Sequence, residues 1–127
     1  MKTSKLLALL LLLVAGSLSS VAQTGKPAPG IEVVYFHATN RCVTCEAVET
    51  VTREALKQYY GNQISFKSVN RDEDKANPLM KKHKVSGQTL LIIKGDKAEN
   101  LTNFAFMNAR TKPEKLKAKI KETIDRM

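Results

Sequence analysis

The sequence predicts an α/β domain with four strands in a mixed sheet, in the order β-α-β-α-β-β-α. Short β-branched and apolar runs, typical of strands buried on both faces, alternate with stretches in which apolar residues recur every three or four positions. Helices join the first three strands and imply crossover connections, whereas a short turn before the last strand implies a hairpin. The two kinds of connection together predict a mixed sheet.

The first strand and the helix after it have the clearest patterns. Residues 31–36 form a nearly continuous apolar run, which predicts a central strand, and a polar loop follows at 37–41. A helix is predicted from Cys42 to about Tyr60, with Gly61 ending it. Its predicted apolar stripe consists of Val43, Ala47, Val48, Val51, Ala55, Leu56 and Tyr59.

The middle of the chain predicts a strand, a short helix and another strand. Residues 64–69 suit a second strand, with Ile64 and Phe66 on one face. Asn77 followed by Pro78 reads as a helix cap with proline at the first position, which opens a helix to about residue 84. Residues 89–93 predict a third, buried strand.

The carboxyl-terminal part predicts one more strand and a final helix. A turn is predicted at 94–97. A strand is predicted over residues 100–107, because Phe104 and Phe106, two positions apart, would point to the same face of a strand. These two rings and Met107 could form a docking edge, but core packing is the preferred interpretation. Thr111 and Glu114 have the spacing of a capping box. The stripe of the last helix consists of Leu116, Ile120, Ile124 and Met127.

The amino-terminal segment is typical of an export signal. Two lysines precede ten consecutive apolar residues, and small residues at 20–22 suit cleavage before Gln23. The run is shorter than the roughly 20 residues that span a bilayer, and an uncleaved anchor is the alternative. We therefore expect a signal peptide over 1–22, a flexible leader over 23–30, one domain over 31–127, and a periplasmic or secreted protein.

The charge of the chain favours anionic partners. Without Lys2 and Lys5 the chain keeps 19 basic and 12 acidic residues, a net charge of +7. The basic stretches at 81–84 and 112–121 contain no phenylalanine, tyrosine or tryptophan, unlike surfaces that stack nucleic-acid bases. We expect peripheral contact with acidic surfaces and no nucleic-acid binding.

The only two cysteines lie three positions apart, where the first strand passes into the helix. A thiol attacks a disulfide as thiolate, and the unpaired N–H groups of a first helical turn favour that form. Arg41 adds a positive charge. This placement predicts Cys42 as the nucleophile and Cys45, one turn later, as the resolving thiol. A static local bridge, or two inert core cysteines, is the alternative.

These features resemble the thioredoxin-like superfamily across nearly all of the domain. The matching parts are the strand ending at Tyr35-Phe36, the Cys42/Cys45 pair with its helix, Val69-Asn70, and the segment 85–91. The resemblance implies a three-layer α/β/α fold with the cysteines exposed at a strand–helix junction.

Three features depart from the superfamily pattern. The family usually has a cis-proline just before the third strand, and here Gln88 precedes Thr89. Its reductases often have a buried acid in the first strand, and the nearest matching position here is Tyr35. The dipeptide Val43-Thr44 between the cysteines is not that of the common subfamilies.

A narrower resemblance concerns residues 35–46, with the sequence YFHATNRCVTCE. This segment is similar to small exported bacterial thioredoxin-like chains of the nitrophenyl compound nitroreductase (ArsF) family. The resemblance implies an electron-transfer role within a larger reductase.

Several functions follow as expectations. The first is an exported thiol–disulfide oxidoreductase or electron-transfer subunit, acting as a monomer with a protein thiol/disulfide partner or a membrane electron donor. No cofactor is expected, because phosphate-cradling and dinucleotide motifs are absent from the sequence. A second is a module that binds a soft metal or trivalent arsenical through the same thiolates. A third is an interaction domain with vestigial cysteines.

A resident metal is not expected in the chain. His37 could add a ligand to the two thiolates, and His83 a fourth, but a closed zinc site needs four ligands. A loop histidine hydrogen-bonded to backbone is the preferred interpretation of His37.

Overall fold

A computed structural model describes residues 30–127 of the chain. The predicted signal peptide over 1–22, and all but the last residue of the predicted leader over 23–30, lie outside the described residues. Within the described part, no helix combines the length and apolar character needed to cross a bilayer.

The described residues form four strands and four helices, in the order β-α-β-α-β-β-α-α. Their bounds are β1 Ile31–His37, α1 Val43–Tyr60, β2 Ser65–Asn70, α2 Pro78–Lys82, β3 Thr89–Lys94, β4 Lys97–Asn100, α3 Thr102–Asn108 and α4 Pro113–Arg126. The α/β class is confirmed, and the first five elements occur where the sequence predicts them.

The strands form one mixed sheet in the order β2-β1-β3-β4. β1 and β2 are parallel, with Phe36 opposite Val69, whereas β3 is antiparallel to both β1 and β4. The connection from β2 to β3 therefore passes across β1. β1 and β3 are the central strands and are almost entirely buried, as their apolar runs predict.

Helices cover both faces of the sheet. On one face, Val33 and Tyr35 of β1 belong to a large apolar core that includes residues of α1, α3 and α4. On the other face, Val34 and Phe36 belong to a smaller cluster against which α2 packs through Leu79. The alternation follows from the strand period of two. The helix that follows the cysteines is therefore held by the larger of the two cores.

The predicted fourth strand over residues 100–107 is wrong. β4 ends at Asn100 and α3 occupies Thr102–Asn108, so an additional helix precedes the last one. Phe104 and Phe106 gave the appearance of strand alternation, and both pack against the large core from a helix. The interpretation of these rings as core residues is confirmed, while Met107 is exposed.

Helix formation after Asn100 has a local cause. The Asn100 side chain accepts a hydrogen bond from the Thr102 N–H at 2.9 Å, and the Ala105 N–H donates to the Leu101 carbonyl at 2.8 Å. Leu101, Ala105 and Asn108 recur at helical spacing and are all buried. This buried face outweighs the strand-like spacing of the two rings.

The predicted hairpin between β3 and β4 is confirmed, and Gly95 takes the left-handed conformation that its turn requires, with a φ of 60°.

The predicted capping box at Thr111 and Glu114 is wrong as well. The residue before the first turn of α4 is Lys112, and it makes no side-chain cap hydrogen bond. Pro113 begins the helix instead, since its fixed φ suits the first helical position. The apolar stripe of this helix is confirmed, and Leu116, Ile120 and Ile124 are buried.

Candidate functional site

The two cysteines lie at the junction of β1 and α1, next to the carboxyl end of β2. They form a disulfide whose Cα atoms are 5.0 Å apart. Cys42 is the N-cap of α1 and has extended backbone angles, so the helix proper begins at Val43. The strand–CxxC–helix arrangement inferred from the sequence is therefore present.

The two sulfur atoms have different surroundings. Cys42 is exposed, whereas Cys45 is completely buried, so only one of the two cysteines is exposed as the resemblance implies. The Cys45 N–H donates a hydrogen bond to the Cys42 sulfur at 3.1 Å. This donor is one of the N–H groups that a first helical turn leaves without a backbone partner. A thiolate at Cys42 would find the same donor and the positive end of the helix dipole.

The helix buries most of the apolar stripe that the sequence predicts, since Val48, Val51, Ala55 and Leu56 are buried and Ala47 and Tyr59 pack against the large core. Its buried residues include Thr52 and Tyr60, while Val43 is 65% exposed. The predicted place of Val43 in the apolar stripe is therefore wrong. This valine lies between the cysteines on the open side of the helix, where it can contact a molecule that approaches Cys42.

Arg41 does not present a free positive charge to Cys42. Its guanidinium donates to a carboxylate oxygen of Glu49, which lies four residues after Cys45 on α1. The two side chains are 24% and 13% exposed, so this ion pair is largely shielded from water. Arg53 binds the other oxygen of Glu49 at 2.8 Å. The charge of Arg41 is therefore offset by the Glu49 carboxylate.

The pKa of Glu49 reflects this environment. Burial raises the pKa of this carboxyl, but hydrogen bonds from Arg41 and Arg53, with the charge of Arg41, outweigh burial and leave the pKa below its ordinary value. Glu49 is therefore ionised at neutral pH.

Tyr35 occupies the position that the sequence resemblance matches to the buried acid of thioredoxin-like reductases. Its ring is fully buried beneath the start of α1, and Arg41 lies 5.9 Å from the ring centroid. Burial raises the pKa of its hydroxyl to about 12, despite the opposing charge of Arg41. Tyr35 is thus neutral near physiological pH and offers a hydroxyl in place of a carboxylate.

The Tyr35 hydroxyl donates to Gln88 Oε1 at 3.0 Å. Gln88 is the residue just before β3, and no peptide bond within residues 30–127 is cis. The position at which the superfamily usually has a cis-proline is therefore tied to β1 through a side-chain hydrogen bond. This link connects the loop before β3 with the tyrosine that lies against Arg41.

The loop before Cys42 is fixed by its neighbours. The His37 carbonyl accepts from the Arg71 N–H at 2.8 Å, and Asp72 accepts from the Thr39 N–H at 2.7 Å. These bonds join the carboxyl ends of β1 and β2. Hydrogen bonds from Thr39 lower the pKa of the Asp72 carboxyl.

The candidate metal ligands are not brought together. His37 is the last residue of β1 and not a loop residue, but its Nδ1 lies 2.9 Å from the Ala38 carbonyl oxygen, which agrees with the expected hydrogen bond to backbone. His83 is the C-cap of α2, and its Nε2 is buried without a hydrogen-bond partner within residues 30–127. Across the same residues, no three histidine, cysteine or carboxylate side chains are grouped as metal ligands.

The basic stretches contact acidic and aromatic side chains. Lys82 pairs with Asp96 at 3.0 Å, and Lys117 pairs with Glu54 at 3.1 Å. Lys115 and Lys119 lie over the ring of Phe104. The absence of nucleic-acid binding stays a prediction.

No protein-family model matches the chain, and no curated protein matches it. Among solved structures, the chain is similar to one described as that of a malarial protein. The match has 26% sequence identity, covers 54% of this chain and 73% of that chain, and has a TM-score of 0.43. At this TM-score the likeness supports no conclusion about the fold or function of this chain.

Proposed function

We propose that this chain is a thioredoxin-like thiol–disulfide oxidoreductase, or an electron-transfer subunit, that uses Cys42 and Cys45 as a dithiol/disulfide couple. The observation that carries the proposal is the asymmetry of the pair. An exposed cysteine caps the helix, and a buried one follows a turn later within bonding distance. This is the arrangement that a nucleophile and a resolving thiol need.

The exchange proceeds in two steps, in which the electrons lost by the chain equal those gained by the partner. The Cys42 thiolate attacks a disulfide of the partner, forms a mixed disulfide with one partner sulfur, and releases the other as thiolate. Cys45, after losing its proton, attacks the Cys42 sulfur and releases the second partner sulfur. The chain loses two electrons and the partner disulfide gains them. The reverse sequence oxidises a partner dithiol, so the couple can also pass electrons from a donor.

The sheet supports the thioredoxin-like assignment. A parallel β1–α1–β2 unit, an antiparallel β3, a following hairpin and helices on both faces agree with the three-layer arrangement that the resemblance implies. The sequence of residues 35–46 adds the narrower hypothesis that the chain is the ArsF-type, electron-passing component of a nitrophenyl compound reductase.

Export forms part of the proposal. Disulfide exchange proteins that act on other proteins require an oxidising compartment or a dedicated electron donor. The sequence of residues 1–22 favours export, and we propose a periplasmic or secreted protein fed by a protein thiol partner or a membrane donor. Expression of the full chain in a bacterium, followed by sequencing of the secreted amino terminus, should give Gln23 as the first residue.

The central experiment measures whether the couple cycles. Purified protein is equilibrated with glutathione buffers, and the dithiol fraction is counted by alkylation and mass spectrometry. We expect a reversible two-electron transition, and a Cys45→Ser variant that retains a mixed disulfide on Cys42. A potential near −270 mV, about that of thioredoxin, would assign a reductase, and one near −120 mV would assign an oxidant. A bridge that never opens in these buffers would contradict the proposal.

The binding alternative has a separate test. Two adjacent thiolates can capture copper(I) or a trivalent arsenical without electron transfer. Reduced protein titrated with copper(I) and with phenylarsenite would reveal tight stoichiometric binding. Such binding by a protein that does not exchange with glutathione would replace the oxidoreductase proposal by a binding module.

A further inference from the structure

We propose that Glu49 is a positioning residue of the dithiol, which holds the Arg41 guanidinium against α1 and offsets its charge beside Cys42. The inference rests on the proposed function, because the property it controls is the reactivity of Cys42. It assigns a role to a carboxylate outside the CxxC motif.

The first support is the placement of the ion pair around the cysteines. Arg41 directly precedes Cys42, and Glu49 lies one turn after Cys45, so the pair connects the two sides of the motif. Residues four apart on a helix share a face, which puts Glu49 on the same side of α1 as Cys45. The contact therefore ties the residue before the helix to the helix itself.

The second support is the shielding of the pair. Both side chains are mostly buried, and Arg41 Nε is buried without a hydrogen-bond partner among residues 30–127. An unpaired buried N–H group carries a cost. The guanidinium keeps this location nonetheless, where it contacts Glu49 and lies against the Tyr35 ring. Among residues 30–127, Glu49 is the carboxylate with which this guanidinium forms an ion pair.

The third support is the set of groups that hold Glu49. Arg53 donates to the carboxylate through Nε at 3.1 Å and Nη2 at 2.8 Å, and its own guanidinium lies 4.4 Å from the Phe66 ring centroid. Ser68 of β2 and Arg41 also face the carboxylate. The carboxylate is therefore held by hydrogen bonds from α1 and from the loop before the motif.

The consequence for Cys42 is electrostatic. A free arginine beside the nucleophile would stabilise its thiolate, whereas an arginine paired with a shielded carboxylate does so much less. Glu49 therefore keeps Cys42 less acidic, and the couple more reducing, than the adjacent arginine alone would make it. Glu46, in the first helical turn, is exposed and is screened by water and salt.

The test compares charge-neutral variants of the pair. The pKa of the Cys42 thiol is measured on fully reduced protein from the rate of iodoacetamide alkylation against pH. Glu49→Gln should lower this pKa by about half a unit, Arg41→Gln should raise it by about as much, and the double variant should return close to wild type. Glu49→Asp should stay near wild type because it keeps the charge.

Glu54→Gln is the matched control. Glu54 lies on the same helix and pairs with Lys117 at 3.1 Å, away from the cysteines, so its loss should leave the Cys42 pKa within error. A merely structural role would make both single variants less stable without opposite shifts of pKa. Shifts of the same sign, or shifts no larger than that of Glu54→Gln, would overturn the inference.

The alkylation readout separates this inference from the proposed function. Alkylation of reduced protein does not require exchange with any disulfide. A bridge that fails to equilibrate with glutathione would refute the oxidoreductase proposal, while the opposite pKa shifts would still decide the role of Glu49. In a cycling protein, Glu49→Gln should also shift the glutathione equilibrium about threefold toward the dithiol.

Discussion

The surroundings of Cys42 and Cys45 differ more than their separation of three residues suggests. Cys42 is exposed, with a helix N–H group donating to its sulfur, whereas Cys45 is buried with no exposed surface. Two cysteines one helical turn apart therefore differ in chemical properties. Cys42 is accessible and its thiolate would be stabilised, whereas Cys45 is protected from outside reagents.

The largest expected difference lies in the reactivity of single-cysteine variants. Reduced Cys45→Ser, which keeps Cys42, should react with a small aromatic disulfide at least about 100-fold faster than reduced Cys42→Ser, because a thiol must be accessible and ionised to attack. Release of the aromatic thiolate followed by absorbance measures both rates. Similar rates would show that the two surroundings do not separate the thiols in solution.

A matched pair of valines tests the packing difference. Val48→Ala removes two methyl groups from a fully buried position on α1 and should lower the free energy of unfolding by about 2 kcal/mol. Val43→Ala removes the same groups from the exposed position beside Cys42 and should change it by less than about 0.5 kcal/mol. Urea unfolding monitored by circular dichroism gives both values. Equal losses would contradict the described burial.

The pair of Arg41 and Glu49 predicts a pH dependence of stability. Because the folded pKa of Glu49 lies below its ordinary value, its stabilisation is present above that ordinary value and is lost as pH falls through the folded one. At pH 7, Glu49→Gln should cost about 1–2 kcal/mol, and the difference from wild type should shrink on acidification.

Urea unfolding of wild type and Glu49→Gln between pH 7 and pH 3 makes this comparison. Glu54→Gln serves again as the control for loss of an exposed charge on the same helix. A Glu49→Gln difference that stays constant across this range would show that the carboxylate does not titrate with folding.

The hydrogen bond between Tyr35 and Gln88 should give a smaller effect. Tyr35→Phe leaves the ring in place but removes the donor to Gln88, and should cost about 1 kcal/mol. Tyr59→Phe, at a half-buried position on α1, controls for removal of a hydroxyl. A loss no greater than that of the control would show that the bond adds little. Thermal unfolding at one pH is sufficient for this measurement.

The sequence predicts the elements from β1 to β3 well, because the sequence signals for them are local and agree with one another. Each of these signals has one structural interpretation: the buried runs of β1 and β3, the cap at Asn77 and the glycine after α1. The strand prediction for the segment after β4 was wrong because the sequence there fits both the strand period of two and the helical period of 3.6. Phe104 and Phe106 favour a strand, and only the core packing of Leu101 and Ala105 decides for a helix.

The site was predictable in part. The positions of Cys42 and Cys45 at the start of α1, after β1, follow from the sequence pattern, whereas the complete burial of Cys45 beside an exposed Cys42 does not. The role of Glu49 was hidden, because a glutamate followed four residues later by an arginine is typical of a solvated helix face. Its spacing of four from Cys45 was the available signal. The link from Tyr35 to Gln88 joins residues 53 apart in sequence, which no local pattern reports.

The acidity of the Cys42 thiol tests the account most directly. Alkylation of the reduced wild-type protein across a pH series gives this pKa, with the Cys42→Ser variant correcting for any reaction at Cys45. Because the sulfur lies at the N-cap with a helix N–H directed at it, the pKa should be clearly below the value of about 8.5 for an ordinary cysteine. A pKa at or above that value would contradict the role of Cys42 as an activated nucleophile.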